Sequence, residues 1–325
     1  MKVKFFSFFL ILFAVCVLPL FCGGASEPVL VNTETIDPAR AGSVSVVYGA
    51  DDIELFQGDG EALIVKEYMS KDSPDYYARV NSGTPDITIE QGRRPLGSFR
   101  SRIEVTLPRS YTGELRIRSQ SGSIRSGAVL GLSTIRLETS SGKIQIDEAR
   151  AGSLEITSSS GGISAGNLSA NTITISSSSG KIRCDTAAGT FRAETQSGSL
   201  SFGNLRGAVS LETSSGVVQV DSLEGSFTAR SSSGAIRCAV SKPLGNIGME
   251  TSSGKIQLSL PETTAFQFNA ETSSGAIQTP FSDKLAVPFN DRKSAQGFIN
   301  GAENSGGTFS VNIKTSSGSI TVGWL

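Results

Sequence analysis

Residues 138–146 read ETSSGKIQI, and the same string returns almost unchanged as ETSSGKIQL at 250–258. Both belong to one series. A Ser-Gly pair recurs with its glycine at Gly122, Gly142, Gly161, Gly180, Gly198, Gly216, Gly234, Gly254, Gly275 and Gly318, at intervals of 20, 19, 19, 18, 18, 18, 20, 21 and 43 residues. The last interval is two periods with a few residues added. A fixed period of this length marks a tandem array, in which each copy is one supersecondary unit that leans on its neighbours.

The register inside each copy states how it folds. Two residues after the glycine stand Ile124, Ile144, Ile163, Ile182, Leu200, Val218, Ile236, Ile256, Ile277 and Ile320, all aliphatic. Five and seven residues before it stand pairs such as Ile135 with Leu137, Leu154 with Ile156, and Val311 with Ile313, separated by polar residues such as Arg136 and Asn312. Each copy is therefore two runs of period-two alternation that meet at a Ser-Gly corner, the pattern of strands that bury one face. Neither strand can bury that face alone. Coaxial stacking solves the problem, because equivalent aliphatics pile into a continuous core and each coil hydrogen-bonds to the coils on either side.

Length favours this arrangement. Eighteen to twenty-one residues give a contour of roughly 60 to 70 Å, enough for a flattened coil, whereas a propeller blade needs about twice the period. The expected fold is all-β, a single-chain β-solenoid of about ten coils. Plain antiparallel hairpins share the alternation and remain the competing arrangement. The Ser and Thr before each glycine are read as corner residues whose hydroxyls bond local backbone, and the glycine as a left-handed or extended residue.

The first residues belong to a different problem. Lys2 and Lys4 precede an apolar run at 5–21, which small residues follow, the layout of an export signal. Cys22, in Leu20-Phe21-Cys22-Gly23-Gly24, resembles the lipidated cysteine of a bacterial lipobox, although Phe21 stands where Gly, Ala or Ser is usual. Three fates are open: lipidation of Cys22, ordinary cleavage near Ala25, and an uncleaved anchor, for which 17 residues interrupted by Pro19 are short. The expectation adopted is a signal peptide at 1–22, with Cys22 anchoring an exported envelope protein in a membrane.

Beyond 22 the sequence divides into a linker at 23–44, a β-rich cap region at 45–112 and the solenoid at 113–325, with a long insertion at about 279–307. Candidate strands in the cap region are 44–48, 53–56, 63–68, 76–80, 86–90 and 103–107, set between Gly, Pro and Asp clusters. The insertion carries Pro280, Phe281, Pro288, Phe289 and Phe298, which either pack on the rod or line an exposed loop.

The T-S-S-G-x-I segments, Ser101-Arg102-Ile103-Glu104-Val105-Thr106-Leu107-Pro108 ahead of them, and the closing Thr315-Ser316-Ser317-Gly318-Ser319-Ile320-Thr321-Val322 resemble the bacterial DUF4097 β-strand repeat family, over roughly residues 45–325. The resemblance implies a right-handed β-solenoid of adhesin-like architecture. It supplies no catalytic residue and no cofactor.

The chemistry legible outside the repeat is sparse. Lys plus Arg total 29 against 30 for Asp plus Glu, so there is no basic field for nucleic acid, and the absence of His removes the commonest general base and metal ligand. Cys184 and Cys238 fall at inward positions three coils apart, too far for a disulfide, and are read as buried free thiols. Glu194 and Glu212 are assigned to neighbouring coils, as are Glu250 and Glu271, and such stacked like charges repel. Arg192 and Lys255 are read as their compensation, so no metal is expected. The sequence points to a non-catalytic envelope protein that binds an unknown protein or glycan partner. A polysaccharide-active enzyme that uses such carboxylates is the alternative.

Overall fold

The computed structural model describes residues 26–83, 85–285, 293–304 and 309–325. The chain opens with β1 (Val29–Ile36), β2 (Ser43–Tyr48), β3 (Asp52–Gly58), β4 (Leu63–Met69), β5 (Arg79–Asn81), β6 (Asp86–Glu90) and β7 (Ser101–Pro108). The middle holds β8 (Glu114–Ser119), β9 (Ile124–Thr139), β10 (Ile144–Ser158), β11 (Ile163–Ser177), β12 (Ile182–Thr195), β13 (Leu200–Thr213), β14 (Val218–Ser231) and β15 (Ile236–Thr251). The chain closes with β16 (Ile256–Leu260), β17 (Phe266–Thr272), β18 (Ile277–Gln278), β19 (Ser294–Ile299), β20 (Phe309–Thr315) and β21 (Ile320–Trp324).

From β9 to β15 each strand runs parallel to the next in the register of the repeat, so that Ile144, Ile163, Ile182, Leu200, Val218 and Ile236 form one column. Every member is buried. This is a β-solenoid. Its core is a set of such columns, and each fully buried Ile or Leu contributes about 1.5–3 kcal/mol relative to exposure.

The corner explains the recurring T-S-S-G. A Thr or Ser three residues before the glycine is buried in each repeat, and in most of them its Oγ accepts a hydrogen bond from the glycine N–H, as in Thr139 with Gly142 at 3.1 Å and Thr213 with Gly216 at 3.0 Å. Most of the threonines also donate to the carbonyl of the adjoining coil's corner glycine, as in Thr213 to Gly198 at 3.2 Å and Thr251 to Gly234 at 3.1 Å. One hydroxyl thus closes its own corner and ties it to the next coil. The corner glycines lie outside the left-handed region, so the requirement is space: a Cβ on Gly216 would run into the Gly198 carbonyl, and one on Gly198 into that of Gly180. Positive φ is used at the opposite corner, where Gly189, Gly207 and Gly225 have φ of 134°, 120° and 150°.

Spatial order departs from chain order at both ends. β2 pairs in parallel with both β6 and β8, and β3 with both β7 and β9, so the coil at 43–58 lies inside and the later coil at 86–108 outside it. At the other end β20 lies between β15 and β17, and β21 between β16 and β18. The last coil of the chain is inserted between two earlier ones. The column therefore runs Ile103, Ile53, Ile124 and so on to Ile256, Ile320 and Ile277, a stack roughly 50 Å long at about 4.8 Å per layer.

Antiparallel strands cover both ends: β4 lies on β7 with β1 beyond it, β5 on β6, and β19 on β17. Covered ends suppress growth of the rod by addition of further copies. Three expectations need correction here. The linker at 23–44 contains β1, an integral strand paired with β4. The cap region at 45–112 is built of two true coils under an antiparallel cover. The candidate strand at 76–80 is a 3-10 turn at Pro74–Tyr76 followed by β5, because Pro74 favours a helical start and has no N–H for a ladder.

Candidate binding surface

On the long face made by the strand halves before the corners, outward side chains form two columns, four and six residues ahead of each glycine. Ions of opposite sign interleave along them. Arg118 pairs with Glu138 at 3.5 Å, Arg136 with Glu114 at 3.3 Å and Glu155 at 3.5 Å, Arg192 with Glu194 at 2.9 Å and Glu212 at 3.7 Å, and Arg230 with Glu250 at 3.6 Å. These pairs are solvated and each contributes about 0–1 kcal/mol, so the ladder matters more as a recognition surface than as a brace.

Glu194 and Glu212 do stand in register on adjacent coils, bridged by the Arg192 guanidinium. Glu250 and Glu271 do not. The inserted strand β20 places Lys314 between them, in register with both, and its Nζ lies 3.8 Å from Glu271. Lys314, not Lys255, separates these two carboxylates. Among the described residues no group of three or more His, Cys, Asp or Glu stands close enough to hold a metal ion.

The sequence that builds these coils matches a known family. Residues 48–206 and 204–323 each match the Toastrack DUF4097 family. The chain belongs to it. No curated protein matches the chain. Among solved structures, a candidate cell adhesion protein from Clostridium sporogenes is 12% identical over 92% of this chain and 100% of its own, with a TM-score of 0.24. A candidate adhesin from Bacteroides fragilis is 14% identical over 70% of this chain and 96% of its own, with a TM-score of 0.42. Neither likeness bears on what this Toastrack rod binds.

The charged face is indented in several places, one of them beside Gly248. Gly248 interrupts the outward column and leaves a polar notch of about 320 Å³, lined by Arg230, Glu250, Asn269, Glu271, Asn312 and Lys314 among others. Asn269 also accepts from Gln296 Nε2 at 3.2 Å. Sequence reasoning could not find this group, because Asn312 comes to lie between Gly248 and Asn269 only through the insertion of the last coil.

The aromatics of the insertion divide between the two readings. Phe281 is buried and meets Phe268 edge-on at 5.1 Å, Phe266 at 5.8 Å and Trp324 at 5.3 Å, so it plugs the end of the core. Phe298 is exposed on β19. Pro288 and Phe289 lie outside the described residues, as do Cys22 and the whole of 1–25.

Cys184 and Cys238 are free and buried, at matching positions three coils apart. Burial pushes the Cys184 thiol up to about 12 and raises that of Cys238 as well. Neither is suited to nucleophilic work.

The other end of the Toastrack rod holds buried charges that the sequence did not announce. Asp51 occupies the place of a corner glycine in the coil at 43–58, as the carbonyl against which a Cβ on Gly122 would clash shows. No further corner stacks beyond it. Instead Arg94 Nε donates to Asp51 Oδ1 at 3.1 Å, Ser101 Oγ donates to the same oxygen, and the Arg94 guanidinium lies over Tyr48 and Phe99. Nearby, the fully buried Glu67 accepts from Tyr48 at 3.1 Å, Asn32 at 3.0 Å and the Ala78 N–H at 2.7 Å. Burial first, and then Glu67, hold the Tyr48 hydroxyl well above its ordinary range. Asp51 thus ties the loop of the outer coil to the coil at 43–58, and Glu67 ties β1 and the segment before β5 to Tyr48 of that same coil.

Proposed function

We propose that this Toastrack chain is an exported, non-catalytic cell-envelope protein, anchored through a lipid at Cys22, whose rod holds a protein or glycan partner in an adhesin-like role. The observation that carries the reading is the outward face of paired charges, with a notch at Gly248, displayed on a scaffold whose core and corners are committed to stacking. A rod of stacked coils suits such recognition because it presents a long, regular and rigid surface. Arg and Asn side chains around a notch provide directional donors and acceptors for hydroxyls or for acidic groups.

The test is a glycan array and a pull-down from envelope extract, each run with the native chain and with an Arg230→Ala, Lys314→Ala variant. The reading expects at least one saccharide or protein to be retained by the native chain and weakened at least tenfold in the variant. Release of reducing sugar from an envelope polysaccharide by the native chain, abolished by Glu194→Gln, would establish the enzymatic alternative instead. Retention that is indifferent to the Arg230 and Lys314 changes would remove this face from the account.

A further inference from the structure

We infer that the rod stands end-on on a lipid bilayer, its N-terminal end down, with the turn at Leu96 and the start of β1 resting in the lipid surface. The inference rests on the membrane tether proposed above and adds how the molecule stands on it.

The first argument is the length of the tether. The described chain begins pinned to the outermost layer of the rod. Ser26 Oγ donates to the Ser70 carbonyl at 2.8 Å, Glu27 pairs with Arg100 at 3.3 Å, and Val29 is in register with Met69 on β4. Between Cys22 and Ser26 there are four peptide steps, which reach at most about 15 Å when fully extended. A lipid on Cys22 therefore keeps this end of the rod within about 15 Å of the bilayer. The far end, with Phe298 and β19, is several nanometres away along the stack.

The second argument is what this end exposes. Leu96 is 98% exposed, Val29 62% and Leu30 50%, and they are among the most exposed large apolar side chains described. Leu96 stands at the tip of Pro95-Leu96-Gly97, where Gly97 takes φ of 89°. Pro28 on one side and Pro95 and Gly97 on the other line one cavity of about 730 Å³, and Val29 and Leu96 are chain neighbours of these lining residues. The loop is not free to fold back over itself, because Arg94 fastens it to the buried Asp51.

The charges around the tip suit the same surface. Arg93 and Arg100 flank it, more than half exposed, and their partners Asp75 at 3.9 Å and Glu27 at 3.3 Å are exposed as well. Long cationic side chains beside an apolar tip can keep their heads at the phosphate level while their stems and the leucine enter the acyl boundary. Both signs are present, so attachment should depend on the apolar tip more than on anionic lipid.

The experiment uses the full chain recovered from bacterial membranes, with Trp324→Phe to remove the native indole. Leu96→Trp is compared with Leu244→Trp, another exposed leucine (67%) on the side of the rod in β15. Each variant is reconstituted in phosphatidylcholine vesicles with or without bromine on the acyl chains, and flotation scores attachment independently. The inference expects Leu96→Trp to be blue-shifted and quenched at least twofold by bromolipid, and Leu244→Trp to be unaffected. Quenching of both would mean that the rod lies flat. A blue shift at Leu96→Trp without quenching would mean that another part of this chain, or a second copy, covers the cleft. Flotation without quenching at Leu96→Trp overturns the inference and leaves the tether standing, whereas loss of flotation removes both. None of these outcomes touches partner binding by the charged face.

Discussion

Ser158 and Ser177 form a natural control for the corner chemistry. They are in register on adjacent coils, both are buried, and both stand three residues before a corner glycine. Ser177 Oγ accepts from the Gly180 N–H at 2.9 Å, whereas Ser158 Oγ is buried without a hydrogen-bond partner. Ser177→Ala leaves a donor unpaired inside the corner, and an unsatisfied buried group costs about 1–3 kcal/mol. Ser158→Ala removes a hydroxyl that was desolvated for no bond, so its effect should lie within about 0.5 kcal/mol or be stabilising. A stacked rod need not unfold in one step, so urea unfolding should be paired with amide exchange at Gly180 and Gly161. A 2 kcal/mol loss would speed exchange at Gly180 by about thirtyfold, with Gly161 nearly unchanged in Ser158→Ala. Equal destabilisation by the two substitutions would refute the idea that the hydroxyl acts through its bond to the glycine.

Other consequences follow from the same geometry. Ile182→Asp places a charge in a fully buried column and should cost several kcal/mol, while Arg183→Ala, one residue on and exposed, should stay within about 0.5 kcal/mol in denaturant melts. Gly198→Ala drives a Cβ into the Gly180 carbonyl and should abolish folding of the middle coils by circular dichroism, whereas Gly60→Ala, with open space around it, should be neutral. Burial raises the Cys184 thiol from 9.0 to about 12, so the unfolded chain releases this proton first. Stability is therefore fully present below pH 9 and declines as pH rises through the window from 9 to about 12, at up to about 1.4 kcal/mol per pH unit for the thiol. Cys184→Ala should flatten the alkaline limb of a stability profile, and a thiol reagent should label Cys184 and Cys238 quickly only in denaturant.

The repeat was legible because its physics is local. The period, the inward column through Ile182 and Ile256, the outward position of Arg183, and the three-coil separation of Cys184 from Cys238 all follow from alternation and spacing within one coil. What escaped was long-range order. No pattern near Lys314 says that its coil slips between those of Glu250 and Glu271, so pairing successive copies in chain order made neighbours of two residues that are not. The first coil was missed for a related reason. Asp51 stands where the motif has glycine and Tyr48 where it has Ser or Thr, both tolerated because no corner stacks beyond them. The corner glycine is not left-handed, one of the two conformations expected, and the carbonyl of the adjoining coil's corner, which excludes a Cβ, could not be read from one coil alone. The charged face was visible as isolated pairs, but the notch at Gly248 depends on the same insertion and was not.

The insertion of the last coil is the claim on which the architecture of the notch depends, and a disulfide scan tests it directly. In a background with Cys184 and Cys238 replaced by Ala, the pair Glu250→Cys with Lys314→Cys joins residues in register on adjacent coils, while Glu250→Cys with Glu271→Cys joins positions two coils apart. Adjacent parallel strands lie about 4.8 Å apart and two spacings make about 9.6 Å, beyond the reach of a disulfide. Mild oxidation followed by peptide mapping should find the 250–314 bond at high yield and no 250–271 bond. A 250–271 bond in the absence of a 250–314 bond would show that the coils stack in chain order and would contradict the account.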